Sequence, residues 1–168
     1  SGTNATEAFS LISNAGAANP DQVKFVSRGD NSGTNTRELQ LWNKSGSDYN
    51  TTVKGQSWYI ESGKGMGDTL NLANEKSAYT LSDSGTYLAY KGNITLVPYV
   101  TQGKDLLNIY SMIPVNPEKF SNVNYNASMK WVDFVLSTEG QTIVGEYGKE
   151  KYGQQLFIPL AGKSEPTN

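Results

Sequence analysis

Between Ser27 and Thr34 the chain reads Ser-Arg-Gly-Asp-Asn-Ser-Gly-Thr, a set of residue types suited to holding an anion. Arg28 carries a planar, permanently charged fork of N–H donors. Ser32 and Thr34 add hydroxyl donors, and Ser27 opens the stretch with a third. Gly33 lets the backbone come close to a ligand. The amides of Gly33 and Thr34 fall where a helix is expected to begin, and a helix start draws anions through its free N–H groups and its dipole. Asp30 is the odd member, because a carboxylate repels an anion. Two roles suit it: orienting Arg28 through a salt bridge, or accepting a hydrogen bond from a protonated oxyanion such as monohydrogen phosphate. The same residues also read as a capped turn, with Ser32 or Thr34 as the N-cap and Arg28–Asp30 as a surface pair of little energetic weight.

These side chains need elements to position them. Thr3 or Asn4 is placed to cap a helix carrying Ala5, Ala8, Phe9, Leu11 and Ile12, ending near residues 14–16. Residues 23–26 are strand-like, and a second helix is expected after Thr34, with Leu39, Leu41 and Trp42 inward and Ser45-Gly46 closing it. Residues 46–55 read as an exposed loop. Strand-like residues 58–60 lead through a glycine-bearing turn, Gly63–Thr69, into a helix with Leu70, Leu72 and Ala73. That turn fits neither a dinucleotide-binding glycine fingerprint nor a Walker loop. A short strand over 78–81 precedes a helix capped by residues 82–85 and carrying Tyr87, Leu88 and Tyr90. Strands are expected over 94–100 and 109–115. An amphipathic helix over 127–136 places Trp131, Phe134 and Val135 in a core by their spacing. Residues 137–140 break it, a further helix covers about 141–147, and 156–159 is extended. Strands alternating with helices predict an α/β fold with a mostly parallel sheet flanked by helices. In such sheets ligands sit beyond the carboxyl ends of the strands, which is where Ser27–Thr34 lies.

Composition removes many alternatives. The chain has 168 residues, a formal net charge of −2, 36% hydrophobic and only 18% charged residues, and neither cysteine nor histidine. Disulfide scaffolds, thiol catalysis, Ser-His-Asp triads and His- or Cys-ligated zinc are excluded. Carboxylates such as Glu61 and Asp68 show no convincing pairing for acid–base work, so no enzyme is expected and no cofactor is implied. The acidic balance argues against nucleic acid as a partner. The chain opens on Ser1 with no charged-then-apolar leader, and no apolar run is long enough to span a bilayer. Sequons at Asn4, Asn43, Asn50, Asn93 and Asn126 are glycosylation candidates and weak signs of secretion. Residues 162–168 form a polar tail.

The stretch Arg28-x-Asp30-x-Ser32-Gly33-Thr34 resembles the oxyanion-gripping loop of type II periplasmic solute-binding proteins, including those for phosphate. The wider stretch from Phe25 to Thr34 is more similar to the tungstate-binding proteins of ABC importers. So are Trp58–Ala73, Ala78–Tyr87, Tyr110–Pro117 and Leu136–Ile143 through Gly148. The resemblance runs from about Ala5 to Pro159, and several motifs in the right order make it far more specific than one loop. It implies a type II periplasmic-binding-protein-like fold in which residues 1–161 form the solute-binding-protein-like domain, with the second lobe over roughly 1–115 and carboxyl-terminal returning helices over roughly 116–161. Family members begin with a Thr/Ser-rich loop on a first lobe. No such loop opens this chain, so the resemblance implies that the first lobe is largely absent.

The resemblance further implies Arg28 as the main charged ligand residue, with Ser27, Asp30, Ser32, Gly33 and Thr34 beside it. The helix start at Gly67 and Thr69 is expected to present further donors, although a glycine-rich turn shaped for its backbone alone explains it equally. The implied ligand is a tetrahedral oxyanion, tungstate or molybdate. The implied partners are the missing amino-terminal lobe and the membrane subunits of an ABC importer, in a periplasmic or extracellular setting. Phosphate binding, or a secreted interaction module built on the same fold without transport, stand as alternatives.

Overall fold

A computed structural model of the chain describes residues 4–164; Thr3, with the two residues before it, and the end of the tail lie outside them. The described residues divide into two compact units, one running to Leu107 and the other from Asn108.

The first unit is built on a three-stranded parallel sheet in the order β2-β1-β3. β1 is Phe25–Ser27, β2 is Tyr59–Glu61 and β3 is Tyr79–Thr80. Phe25 lies opposite both Tyr59 and Tyr79, and Val26 opposite Ile60 and Thr80. Parallel neighbours require crossover connections: α2 (Gly33–Lys44) lies between β1 and β2, and α3 (Met66–Glu75) between β2 and β3. α1 (Ala5–Ala18) precedes β1, and α4 (Ser84–Tyr90) follows β3. Asn4 caps α1, accepting from the Glu7 amide at 2.9 Å.

Successive side chains of a strand point to opposite faces, and the two faces of β1 are covered differently. Phe25 packs with Phe9 of α1, Trp42 of α2, Trp58 and Tyr59. Their rings stand 4.4 to 6.3 Å apart, mostly edge to face. Val26 faces the other way, against Ala73 of α3 and Ala78. Helices therefore cover both faces of the sheet, as the α/β pattern requires. α1 reaches the sheet closely because of Gly16: a Cβ there would lie 2.6 Å from the Trp58 ring.

Two expectations in this unit need correction. Residues 46–55 are not simply an exposed loop. Tyr49–Val53 forms a π-helical turn capped by Asp48, and Tyr49 and Val53 are buried in the core. Residues 94–100 form no strand, with a bridge at Val100 alone: a strand needs a partner ladder, and beyond that bridge the described residues offer none.

In the second unit, α5 is Tyr125–Leu136, α6 is Thr138–Glu146 and α7 is Lys149–Tyr152. Ser137 ends α5 and caps α6, accepting from the Gly140 amide at 3.2 Å. Gly140 sits within α6 rather than in a break, and the tight turn from α5 into α6 needs glycine there, because any Cβ would meet the Phe134 carbonyl oxygen. Residues 109–115 are extended without a strand partner among the described residues, and Ile113 is 86% exposed. The core expected around Trp131, Phe134 and Val135 does not form here. Trp131 is 61% exposed and Val135 half-buried, since within this unit α5 packs chiefly on α6. No helix among the described residues is long and apolar enough to cross a membrane.

Candidate functional site

β1, β2 and β3 all run into helix starts at one edge of the sheet. The loop from β1 to α2 holds the expected anion motif. Ser32 is the N-cap of α2 and accepts from the Asn35 amide at 3.3 Å. Gly33 and Thr34 are thus the first two helical residues, and their amides have no intrahelical acceptor. Gly33 is exposed and Thr34 half-buried, and the Thr34 hydroxyl has no hydrogen-bond partner among the described residues.

The loop owes its shape to two left-handed residues, Gly29 at φ 61° and Asn31 at φ 59°. At Gly29 a side chain is doubly excluded: besides the dihedral, a Cβ would lie 2.9 Å from Cβ of Glu61. Asn31 tolerates this region better than most residues, and its amide donates to Asn35 Oδ1 at 3.1 Å.

Arg28 and Asp30 are paired, with Nη2 donating to Oδ2 at 2.5 Å, and both side chains are about one-fifth exposed. The other Asp30 oxygen accepts from the Ser32 amide at 3.2 Å. Asp30 thus serves the first of its two expected roles, orienting the arginine. Partial burial works to raise its pKa, but hydrogen bonds from Ser32 and from Arg28 outweigh that and hold the carboxyl below its usual 3.8. The Nε–H of Arg28 is buried and has no acceptor among the described residues. A buried donor left without an acceptor costs free energy, and the indole N–H of Trp58 is left so as well.

Ser27 is placed differently from the expectation. It is 1% exposed; its hydroxyl donates to Glu38 Oε2 at 2.6 Å and accepts from the Gly29 amide at 3.1 Å and Asn35 Nδ2 at 3.2 Å. One hydrogen and two lone pairs are all engaged, so its side chain positions the loop and offers nothing to a ligand.

The second helix start is tied to the first. The Ser62 and Gly63 amides donate to the carbonyls of Ser27 and Arg28, each at 2.9 Å. Gly65 begins α3 with no side-chain cap. The Gly67 amide therefore lies in an uncapped first turn, while its Cα packs against Tyr90, whose hydroxyl a Cβ would strike. Thr69 departs from the expectation: it is fully buried, and its hydroxyl bonds Ser62 Oγ at 2.8 Å and the Gly65 carbonyl at 2.9 Å. Burial removes it from any open face.

Sequence reasoning missed Glu38. It is 1% exposed and accepts from Ser27, from Trp42 Nε1 at 3.0 Å and from the Tyr59 hydroxyl at 2.7 Å. Burial drives its pKa above the ordinary 4.5 against the lowering pull of these donors. Burial likewise drives the Tyr59 phenol far above its usual range. A signal existed: Asn35, Glu38 and Trp42 follow the i, i+3, i+7 spacing of one helix face.

The five sequon asparagines are exposed, although Asn4 is engaged as a helix cap and Asn43 Oδ1 accepts from the Tyr49 amide at 3.1 Å. No group of three or more Asp or Glu side chains suited to a metal ion occurs among the described residues. A depression of about 510 Å³ near Pro117 and Tyr125 in the second unit has no charged residue in its lining.

A parallel sheet with helices on both faces and an arginine-bearing loop at its carboxyl edge defines an α/β binding domain of the periplasmic-binding-protein type. The chain belongs to that superfamily: residues 2–139 match the PBP superfamily domain. It is 46% identical over 142 residues to the tungstate-binding protein TupA of Peptoclostridium acidaminophilum, a match covering 84% of this chain and 48% of that protein. A putative ABC transporter anion-binding protein of Haloferax volcanii is 45% identical over 167 residues, covering 96% of this chain and 45% of the relative. The solved structure of the tungstate-binding protein TupA from Desulfovibrio alaskensis superposes with a TM-score of 0.68 at 37% identity, over 89% of this chain and 60% of that one. The chain thus spans about half the length of the curated relatives it matches.

Proposed function

We propose that the chain supplies one wall of a periplasmic or extracellular receptor for a tetrahedral oxyanion, tungstate or molybdate, and delivers it to an ABC importer. The remaining length of a two-lobed receptor provides the opposite wall, and the ligand favours the closed arrangement of the two. Two of the similar proteins are named for tungstate binding and one for anion binding in an ABC transporter. The observation that carries the reading is Arg28, partly exposed and held by Asp30, in the loop that starts α2. The ligand contacts are Arg28, the Ser32 and Thr34 hydroxyls and the amides of Gly33 and Thr34, with the Gly67 amide at the neighbouring helix start. Asp30 holds the arginine in place. A fully deprotonated dianion needs donors alone, and these groups are donors. Phosphate as the monohydrogen ion also needs an acceptor, and both oxygens of Asp30 already accept from within the loop.

Calorimetric titration of the chain with tungstate, molybdate, phosphate and sulfate tests this. Saturable binding of tungstate or molybdate, tighter than that of phosphate, is expected. Each charge-assisted hydrogen bond is worth about 1.5–3 kcal/mol, so Arg28→Ala is expected to weaken tungstate binding by about 10- to 100-fold. Unchanged affinity in that variant removes Arg28 from the site, and preference for phosphate transfers the site to that ion.

A further inference from the structure

We infer that Glu38, which the ligand does not touch, is a positioning residue for the oxyanion loop, acting through Ser27 and Asn35. This rests on the oxyanion reading above for its functional meaning, while its structural content stands on the hydrogen bonds alone.

Ser27 has one hydroxyl hydrogen. As long as Glu38 Oε2 takes it at 2.6 Å, both lone pairs of Ser27 Oγ face the loop. One receives the Gly29 amide at 3.1 Å and the other Asn35 Nδ2 at 3.2 Å. The first bond holds the left-handed Gly29 next to Arg28. The second fixes the Asn35 amide so that its Oδ1 receives the Asn31 amide at 3.1 Å, securing the second left-handed residue. The sequence Glu38, Ser27, Asn35 thus reaches both residues that bend the loop around Asp30. Its inner end is rigid, since Oε1 of Glu38 is held by Trp42 and Tyr59 of the aromatic core. The members Ser27, Asn35 and Glu38 are all at least 96% buried, so water does not replace any of these bonds cheaply.

The direction of the hydrogen bonds makes the inference sharp. Glu38→Gln keeps size and shape but turns one acceptor oxygen into a donor NH2. If that NH2 faces Ser27, the hydroxyl meets three donors with two lone pairs and must release Gly29 or Asn35. If it faces the core, the Trp42 N–H loses its acceptor, and the carboxamide oxygen that then faces Ser27 holds the hydroxyl more weakly than a carboxylate does.

The test is residue-resolved amide exchange together with tungstate titration of the full chain. In Glu38→Gln, exchange at Gly29 and Asn31 is expected to accelerate at least tenfold, exchange at Leu70 and Ala73 in α3 to stay unchanged, and tungstate affinity to fall about tenfold. Unchanged exchange at Gly29 and Asn31 overturns the inference, as does faster exchange there with unchanged tungstate affinity. Should Glu38→Gln unfold the chain, Asn35→Ala cuts the same path nearer the surface: faster exchange at Asn31 with weakened tungstate binding supports the path, and neither change overturns it. If the unsubstituted chain takes up no tungstate while Glu38→Gln still frees Gly29 and Asn31, the oxyanion reading fails and the control of loop shape by Glu38 remains.

Discussion

Glu38 sits among donors and no cation, so its proton is governed by burial. Its carboxyl is raised above 4.5, which means that the folded chain holds that proton more tightly than the unfolded one. The group therefore favours folding below its unfolded value, and this contribution is lost as pH rises through the folded value. Stability of the unsubstituted chain relative to Glu38→Gln is expected to decline as pH is raised from 4.5 until Glu38 is fully ionised, then to level off. Urea midpoints of both chains measured at half-unit steps from pH 4.5 to 8 read this directly, and a difference that stays flat denies Glu38 any proton in the window. Asp30 carries the opposite sign, its stabilisation present above 3.8 and lost as pH falls below it. At this scale Arg28, Asp30, Ser32, Gly33 and Thr34 stand out in the sequence as a candidate anion loop, because their types and spacing are legible without coordinates. Ser27 and Glu38 were not legible as partners, because a serine in a loop and a glutamate in a helix ordinarily face water. Only the fold brings them within 2.6 Å.

At the scale of elements, close approach explains more than propensity. Alanine is preferred to glycine inside a helix by about 1 kcal/mol, which argues for stabilisation by Gly16→Ala in α1. The Trp58 ring stands where the new methyl must go, 2.6 Å away, and Trp58 is 1% exposed within an aromatic cluster that leaves it no room to move. Overpacking of this kind costs about 1–3 kcal/mol, so Gly16→Ala is expected to lower stability on balance; a raised urea midpoint contradicts that. The order of helices and strands in the first unit was readable from apolar periodicity and turn residues, as with Ser32 before α2 and Asn4 before α1. Elements that depend on a distant partner were not. The runs at 94–100 and 109–115 have strand composition, yet a ladder is a property of two segments. The π-helical turn at Tyr49–Val53 escaped because its two core residues, Tyr49 and Val53, are four apart in an otherwise polar stretch.

Over the whole molecule, apolar burial is uneven. Among the described residues the buried hydrophobic ones all belong to the first unit, whereas the second leaves Tyr110, Ile113, Trp131, Ile143 and Ile158 more than half exposed. Exposed apolar area on that scale binds apolar dyes. Enhanced fluorescence of an anilinonaphthalene sulfonate dye is expected, with a clear reduction in Trp131→Glu and no change in exchange at the β1 amides; dye binding that ignores Trp131→Glu refutes a contribution from Trp131. The three tryptophans of the chain carry one more consequence. Trp42 and Trp58 are sealed in the core, whereas Trp131 stands in solvent, so Trp131→Phe leaves an emission spectrum from interior indoles alone. One of these, Trp42, donates its N–H to the Glu38 carboxylate, so ionisation of that carboxyl is expected to change the Trp42 emission. The molecule thereby contains a label-free optical gauge lying three hydrogen bonds from the loop amide of Gly29.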